Sequence, residues 1–388
     1  MRKLLVVLLL SAVVLGAGAF FFVAPAAFEW WVNGRRVGAA RVASERARAL
    51  HAGLAVADMH ADTLLWDRDL LERSWRGHVD VPRLAEGGVA LQVFGVVTKT
   101  PFFSNYESNE DGANAVTALG VAERWPPRAW GSLLERALYQ SRRLHEAAGR
   151  SRGRLVVVRT ARDLAEFLGR RGREPGAVAA LLGAEGAYAL DGDVANVDAL
   201  FGAGFRMMAP THFTDNEWGG SAHGAAKTGL TERGRELVRR MEARGMLVDL
   251  AHASAATFDD VAAMATRPLV VSHTGVRGTC DNGRNLSDEQ LRKVAASGGV
   301  VGVGYWEAAT CGTDARAVAR AARHAAGVMG VGHVALGSDF DGAVTTPFDA
   351  TGVVEVTDAL LAEGFTEEEV RAVMGGNLLR LLAETLLR

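Results

Sequence analysis

No charge of one sign dominates this chain: 43 lysines and arginines stand against 45 aspartates and glutamates, a formal net charge of −2 over 388 residues. That balance offers neither the basic surface that nucleic acid requires nor an acidic tail, so nucleic acid is not an expected partner. Repeats of about 20–50 residues and long low-complexity tracts are also missing, which excludes solenoids and propellers. Cysteine is nearly absent, with only Cys280 and Cys311. Two such cysteines are ordinarily free core residues, whereas in an exported protein pairing is favoured and would contribute about 3–4 kcal/mol. What is abundant is apolar residue (49%) and glycine (45 residues), a composition that suits an α/β protein with many tight turns. The length accommodates one large barrel or two ordinary domains, either with a substantial core.

Met1-Arg2-Lys3 is followed by an uncharged stretch from Leu4 to Ala27, and then by Trp30-Trp31. A secretory signal carries an apolar region of about 7–15 residues and a spanning helix needs about 20, so the length favours an uncleaved membrane anchor with its tryptophans at the interface. Ala24-Pro25-Ala26 offers a competing small-residue cleavage site. Arg35, Arg36, Arg41, Arg46 and Arg48 follow the span, and the positive-inside rule counts them against export. Export of the rest of the chain is still expected, because buried core helices rarely sit at an extreme N-terminus after Arg-Lys. The expected division is residues 1–32 as signal anchor, 33–50 as an Arg-rich amphipathic spacer, and 51–388 as the main domain.

The stretch MLVDLAHASAATFDDVAAMATRPLVVSHTG (246–275) shows the plan of that domain. Two short apolar runs stop on His252 and His273, with a helical pattern between them, as in a β-α-β unit of a buried parallel sheet. Eight such runs start near residues 56, 89, 178, 205, 246, 269, 299 and 333, with helical stretches between most of them. LVVVRT (155–160) is expected as a further strand outside this cycle, and residues 98–153 as an excursion forming a lid or an oligomer surface. Ser287 to Gln290 and Thr366 to Glu369 read as capping boxes. Eight parallel strands with polar groups at their C-terminal ends predict a (β/α)₈ TIM-type barrel with its site at that face. An open doubly wound sheet is disfavoured, since polar groups mark six strand ends and not one switch point.

Those polar groups are His60, Asp62, Glu185, His212, His252, His273 and Asp339. In a strand, residues i and i+2 share a face, so His60 and Asp62 can grip one ion. Two neutral imidazoles over one mouth are ligands suited to zinc. Singly each signal is weak, since a lone histidine in an apolar run is more often a hydrogen-bonded core residue. Together they predict a metal site. His51, His145, His324 and His333 lack the placement and read as structural or surface residues, while His78 and His223 lie in polar loops and stay undecided. Asp341 reads as a turn cap before Gly342, although alternation with Asp339 would let it point inward. Trp306 suits a pocket wall or the core equally.

DMHADT, GAEGAY, THFTDN, VDLAHAS, VSHTG, GRN and GSDFDG, in this order, resemble the membrane (renal-type) dipeptidases, zinc peptidases related to the amidohydrolases. The likeness covers nearly all of the chain beyond about Val56. It implies a (β/α)₈ barrel holding two zinc ions, with His60 and Asp62 on one ion, His252 and His273 on the other, and Glu185 bridging them. It further implies substrate contacts from His212 and Arg284, an acid/base role for Asp339, a Cys280–Cys311 disulfide and a possible homodimer. Some relatives carry a C-terminal lipid anchor, but LLRLLAETLLR provides no apolar tail, so attachment is expected from the N-terminus. Dipeptides are the implied substrates.

The main rival is another metal-dependent amidohydrolase, such as an N-acyl amino acid deacylase or a lactonase. Many of these bridge their metals with a carboxylated lysine on the fourth strand. Here that strand end offers His212, and Lys227 lies well beyond it. A non-catalytic, membrane-tethered binding barrel is the rival from a different class, and a missing ligand would have favoured it.

Overall fold

The computed structural model describes residues 2–35, 42–174 and 176–387. Arg36 and Arg41 of the expected spacer lie outside the described residues. Nine strands occur among the described residues: β1 (Val56–Ala61), β2 (Val89–Val97), β3 (Leu155–Val157), β4 (Val178–Glu185), β5 (Phe205–Met208), β6 (Leu247–Val248), β7 (Val270–Thr274), β8 (Val300–Val303) and β9 (Val334–Leu336). All pair in parallel, in the order β6-β5-β4-β2-β1-β9-β8-β7. The curled sheet closes where Asp249 bridges Val270 and the Leu250 amide donates to the Val270 carbonyl at 2.7 Å. Eight strands thus ring a TIM-type barrel. β3 pairs only with β4, outside the ring, as LVVVRT predicted.

Each ring strand is buried along its whole length, as parallel strands covered on both faces must be. Phe94, Leu182, Met208 and Val301 pack with Leu144, Leu200, Leu237, Val318 and Val356 from the surrounding helices. A second cluster joins Met59, Leu91, Leu181 and Met207 to Leu378, Leu381 and Leu382 of the last helix, Asn377–Thr385. The capping boxes at Ser287/Gln290 and Thr366/Glu369 form as predicted, each satisfying two backbone donors at a helix start. The excursion divides in two. Residues 98–132 lie against the mouth of the barrel, where the Lys99 and Tyr106 carbonyls meet His212 and His223. The helix Leu133–Arg150 instead returns along the wall, burying Ala137, Leu144 and Ala147.

At the N-terminus, one helical rod runs from Arg2 to Val32 with a π-helical turn at Ala19–Val23. It is long and apolar enough to cross a membrane, and none of its most apolar window is buried in the protein. Beyond it, Ser44 caps the helix Glu45–His51, which buries Ala47 and Leu50.

Candidate metal and substrate site

Glu185, the last residue of β4, is the hub. Its Oε1 lies 3.0 Å from His252 Nε2, 3.2 Å from His273 Nε2 and 3.6 Å from His60 Nε2, and its Oε2 lies 3.5 Å from His212 Nε2. His60 Nε2 stands 3.2 Å from Asp62 Oδ1, and the Nε2 atoms of His252 and His273 face each other at 2.9 Å. All six side chains are buried. Asp339 joins them, with ligand atoms of His60, Asp62 and Asp339 lying within 4.8 Å of one another. His60 sits within β1 and His273 within β7, but His212, His252 and Asp339 follow β5, β6 and β9 by several residues, on the loops over the mouth.

These groups fit a metal ion better than they fit one another. His60 Nε2 and Asp62 Oδ1 are buried without a hydrogen-bond partner, an expensive arrangement unless a cation satisfies both. Burial, with Arg284 beside one and His60 beside the other, holds the His252 and His273 imidazoles well below their ordinary pKa, in the neutral form a metal requires. Burial pushes the Glu185 carboxyl up, but the imidazoles of His212 and His60 outweigh it and hold the group well below the usual range. Burial raises Asp339 well above that range, reinforced by the nearby Asp62 and Glu185 charges. The second nitrogens are set by neighbours: His273 Nδ1 meets Ser272 Oγ at 2.9 Å, and His212 Nδ1 donates to the Lys99 carbonyl at 3.3 Å. The close groupings place His273 with His60 and Glu185, and His212 with Glu185 and His252.

Several residues that build the site escape sequence reasoning. Gly95, within β2, leaves room that a Cβ would fill, since that atom would come within 2.4 Å of Asp62 Oδ1 and 2.7 Å of the His60 ring. An isolated glycine inside an apolar strand is the available signal for such a close approach. Asp58 accepts from the His60 amide, Ser338 and Gln92, and Asp249 from the Ala251 and Ser272 amides; both lie in the apolar runs that lead to ligands. His252 and Asp339 adopt left-handed backbone (φ 62° and 59°), which is strained for non-glycine residues and typical of functional loops.

Arg284 lies buried over the mouth. Its Nη2 donates to the His273 carbonyl at 2.7 Å, its Nε has no partner, and its guanidinium stands 5.5 Å from the Trp306 ring centre. Trp306 also contacts the His273 ring, so it walls the site. Beside it opens a cavity of about 570 Å³, lined by Tyr106, Trp306, the Cys280–Cys311 disulfide and residues 343–345. His223 is buried against Phe213 and His252, with Nδ1 donating to the Tyr106 carbonyl at 3.1 Å. His78 is buried and bonds Gly34, away from the cluster. His51, His145, His324 and His333 bond partners distant in sequence and outside the cluster, in keeping with the structural or surface reading. Asp341 is not the turn cap expected: it points inward, as alternation with Asp339 allowed, and is fully buried in a pair with Arg68 at 2.6 Å. Lys227 stands in a turn, its amide bonded to Asp215.

A parallel barrel that gathers carboxylates and imidazoles over its strand C-termini has the build of a metal-dependent hydrolase. Comparison with known proteins narrows the class. Residues 44–387 match the model of the membrane dipeptidases (peptidase family M19), and the chain belongs to that family of metallopeptidases. A Klebsiella pneumoniae protein, described as an uncharacterized protein in the pqqA 5′ region, is 34% identical over 255 residues, covering 62% of this chain and 92% of its own. A metallopeptidase from Rhodobacter sphaeroides, solved with a phosphinate mimic of the dipeptide L-Ala-D-Ala, is 28% identical with a TM-score of 0.70. That match covers 86% of this chain and 99% of the relative. The metallopeptidase called dipeptidase AC is likewise 28% identical, with a TM-score of 0.71 and the same coverage.

Proposed function

We propose that this chain is a zinc-dependent dipeptidase, anchored by its N-terminal helix with the catalytic barrel on the outer side of the membrane. The observation that carries the reading is the Glu185 carboxylate, with three imidazole nitrogens within 3.0–3.6 Å of one oxygen. His60 and Asp62 would hold one ion and His252 and His273 a second, with Glu185 as a ligand common to both. Zinc bound there would lower the pKa of a water towards neutrality and polarise the substrate carbonyl.

The chain's own residues supply the rest. His212 faces the cluster through Nε2 while its Nδ1 is held by the Lys99 carbonyl, which fixes the ring beside the position where the oxyanion develops. Asp339 takes a proton from the attacking water and passes it to the leaving amine. Arg284 presents its unpartnered Nε–H to the terminal carboxylate of the substrate. The free amine would lie near the acidic side of the cluster, and recognition at both ends limits substrates to dipeptides. A phosphinate dipeptide mimic bound by the Rhodobacter relative supports this choice of substrate.

Metal removal tests the proposal. The detergent-solubilised full chain is expected to carry about two zinc ions, to lose dipeptide hydrolysis on chelation, and to regain it when zinc is returned. Undiminished hydrolysis by a metal-free chain would contradict it.

A further inference from the structure

The junction between the apolar helix and the barrel is built into the catalytic face. Glu29, in the helix Ala24–Val32, is 1% exposed, whereas Trp30 and Trp31 beside it are 60% and 72% exposed. The charged residue thus points into the protein and the tryptophans point out. One Glu29 oxygen lies 2.5 Å from Arg68 Nε, an ion pair whose N–H is not aligned for a hydrogen bond, and the other pairs with Arg76. Arg68 is itself buried and passes the contact on, its Nη2 donating to Asp341 Oδ2 at 2.6 Å. Asp341 also accepts from Thr63 Oγ1 at 2.8 Å and from the His78 amide at 2.5 Å. The loop after β9 is caught a second time, where Asn33 Oδ1 accepts from the Ala343 amide at 2.8 Å and the Gly34 carbonyl accepts from Thr346 at 3.0 Å.

That loop needs holding. Asp339, Asp341 and Ala343 all have positive φ (59°, 63° and 58°), three strained non-glycine residues within five positions. Such backbone persists only where its surroundings over-determine it. A carboxylate buried between two guanidiniums is a costly element that persists when paired, and its loss would leave the Arg68 charge unbalanced on one side. We propose that Glu29 is a positioning residue that, through Arg68 and Asp341, holds the Asp339 loop in register, so the membrane helix is a working part of the catalytic face and not a tether alone. Its effect on turnover rests on the proton-transfer role given to Asp339 above.

The test uses the full chain in detergent, with Glu29→Ala, Glu29→Gln, Asp341→Asn and the double variant Glu29→Ala/Asp341→Asn. Arg46→Ala, which breaks only the exposed Arg46–Glu367 pair, is the control. Hydrogen exchange of the peptide covering 338–347 is read together with kcat and KM for a dipeptide. Glu29→Ala is expected to speed exchange of that peptide at least about tenfold, and to lower kcat about 10–100-fold with KM nearly unchanged. Glu29→Gln should fall between Glu29→Ala and native, the double variant should be no slower than Asp341→Asn alone, and Arg46→Ala should match native. Native exchange in a folded Glu29→Ala or Glu29→Gln chain overturns the proposal. So does a lowered melting temperature with native loop exchange and native kcat, which would mean that Glu29 secures only the helix. Absence of dipeptide hydrolysis by the native chain would count against the dipeptidase reading, while loop exchange would still decide whether Glu29 holds the loop.

Discussion

Glu185→Gln is expected to lower dipeptide hydrolysis at least about a thousandfold, on the order of 4 kcal/mol of transition-state stabilisation, and to reduce the zinc retained after purification. The size follows from the position of the side chain. One Glu185 oxygen serves three imidazole nitrogens and the other faces His212, so no single neighbour can replace it. Glutamine keeps the volume but removes the negative charge, and it aims an amide where a lone pair is needed at one of the two positions. Metal bound by the neighbouring imidazoles would then lack the carboxylate that partly neutralises its charge. Metal content by mass spectrometry and steady-state kinetics check the two halves separately. Native activity in this variant would remove Glu185 from the site.

Arg284→Ala should raise KM for free dipeptides about a hundredfold while changing KM for the corresponding C-terminal esters by no more than about threefold. The guanidinium is buried against Trp306, with Nη2 bonded to the His273 carbonyl at 2.7 Å and 3.4 Å from His252 Nε2, so it is already held before substrate arrives. A charged hydrogen bond formed in such a dry place is strong, and an ester removes the charge that it would meet. The kinetic comparison separates two roles. If both substrates suffer equally, Arg284 acts by supporting the loop between Thr274 and Asp288, and the carboxylate is bound elsewhere.

Much of the barrel was legible because a buried parallel strand is a short, nearly uninterrupted apolar run. Strands predicted near 246, 269, 299 and 333 begin at Leu247, Val270, Val300 and Val334. Glu185 and the histidines were legible for the same reason, since each follows such a run and has no apolar reason to be there. Backbone conformation was not legible. Nothing in VDLAHAS or GSDFDG announces that His252 and Asp339 are left-handed, because that strain is imposed by the surrounding fold. Contacts distant in sequence were equally hidden. Asp341 looked like a turn cap because its partner, Arg68, is 273 positions away. The first residues of the expected spacer, Asn33 and Gly34, bond the loop after β9. Gly95 was passed over inside VALQVFGVV, where only the crowding of His60 and Asp62 gives it meaning.

The most direct measurement is amino-acid release by the full chain in detergent, with zinc and with chelator, from a panel of dipeptides and their N-acetylated counterparts. Zinc-dependent cleavage of the free-amine dipeptides, with the acetylated ones left intact, is the predicted result. Cleavage of the acetylated compounds alone would contradict the account and make the chain a deacylase built on the same metal site.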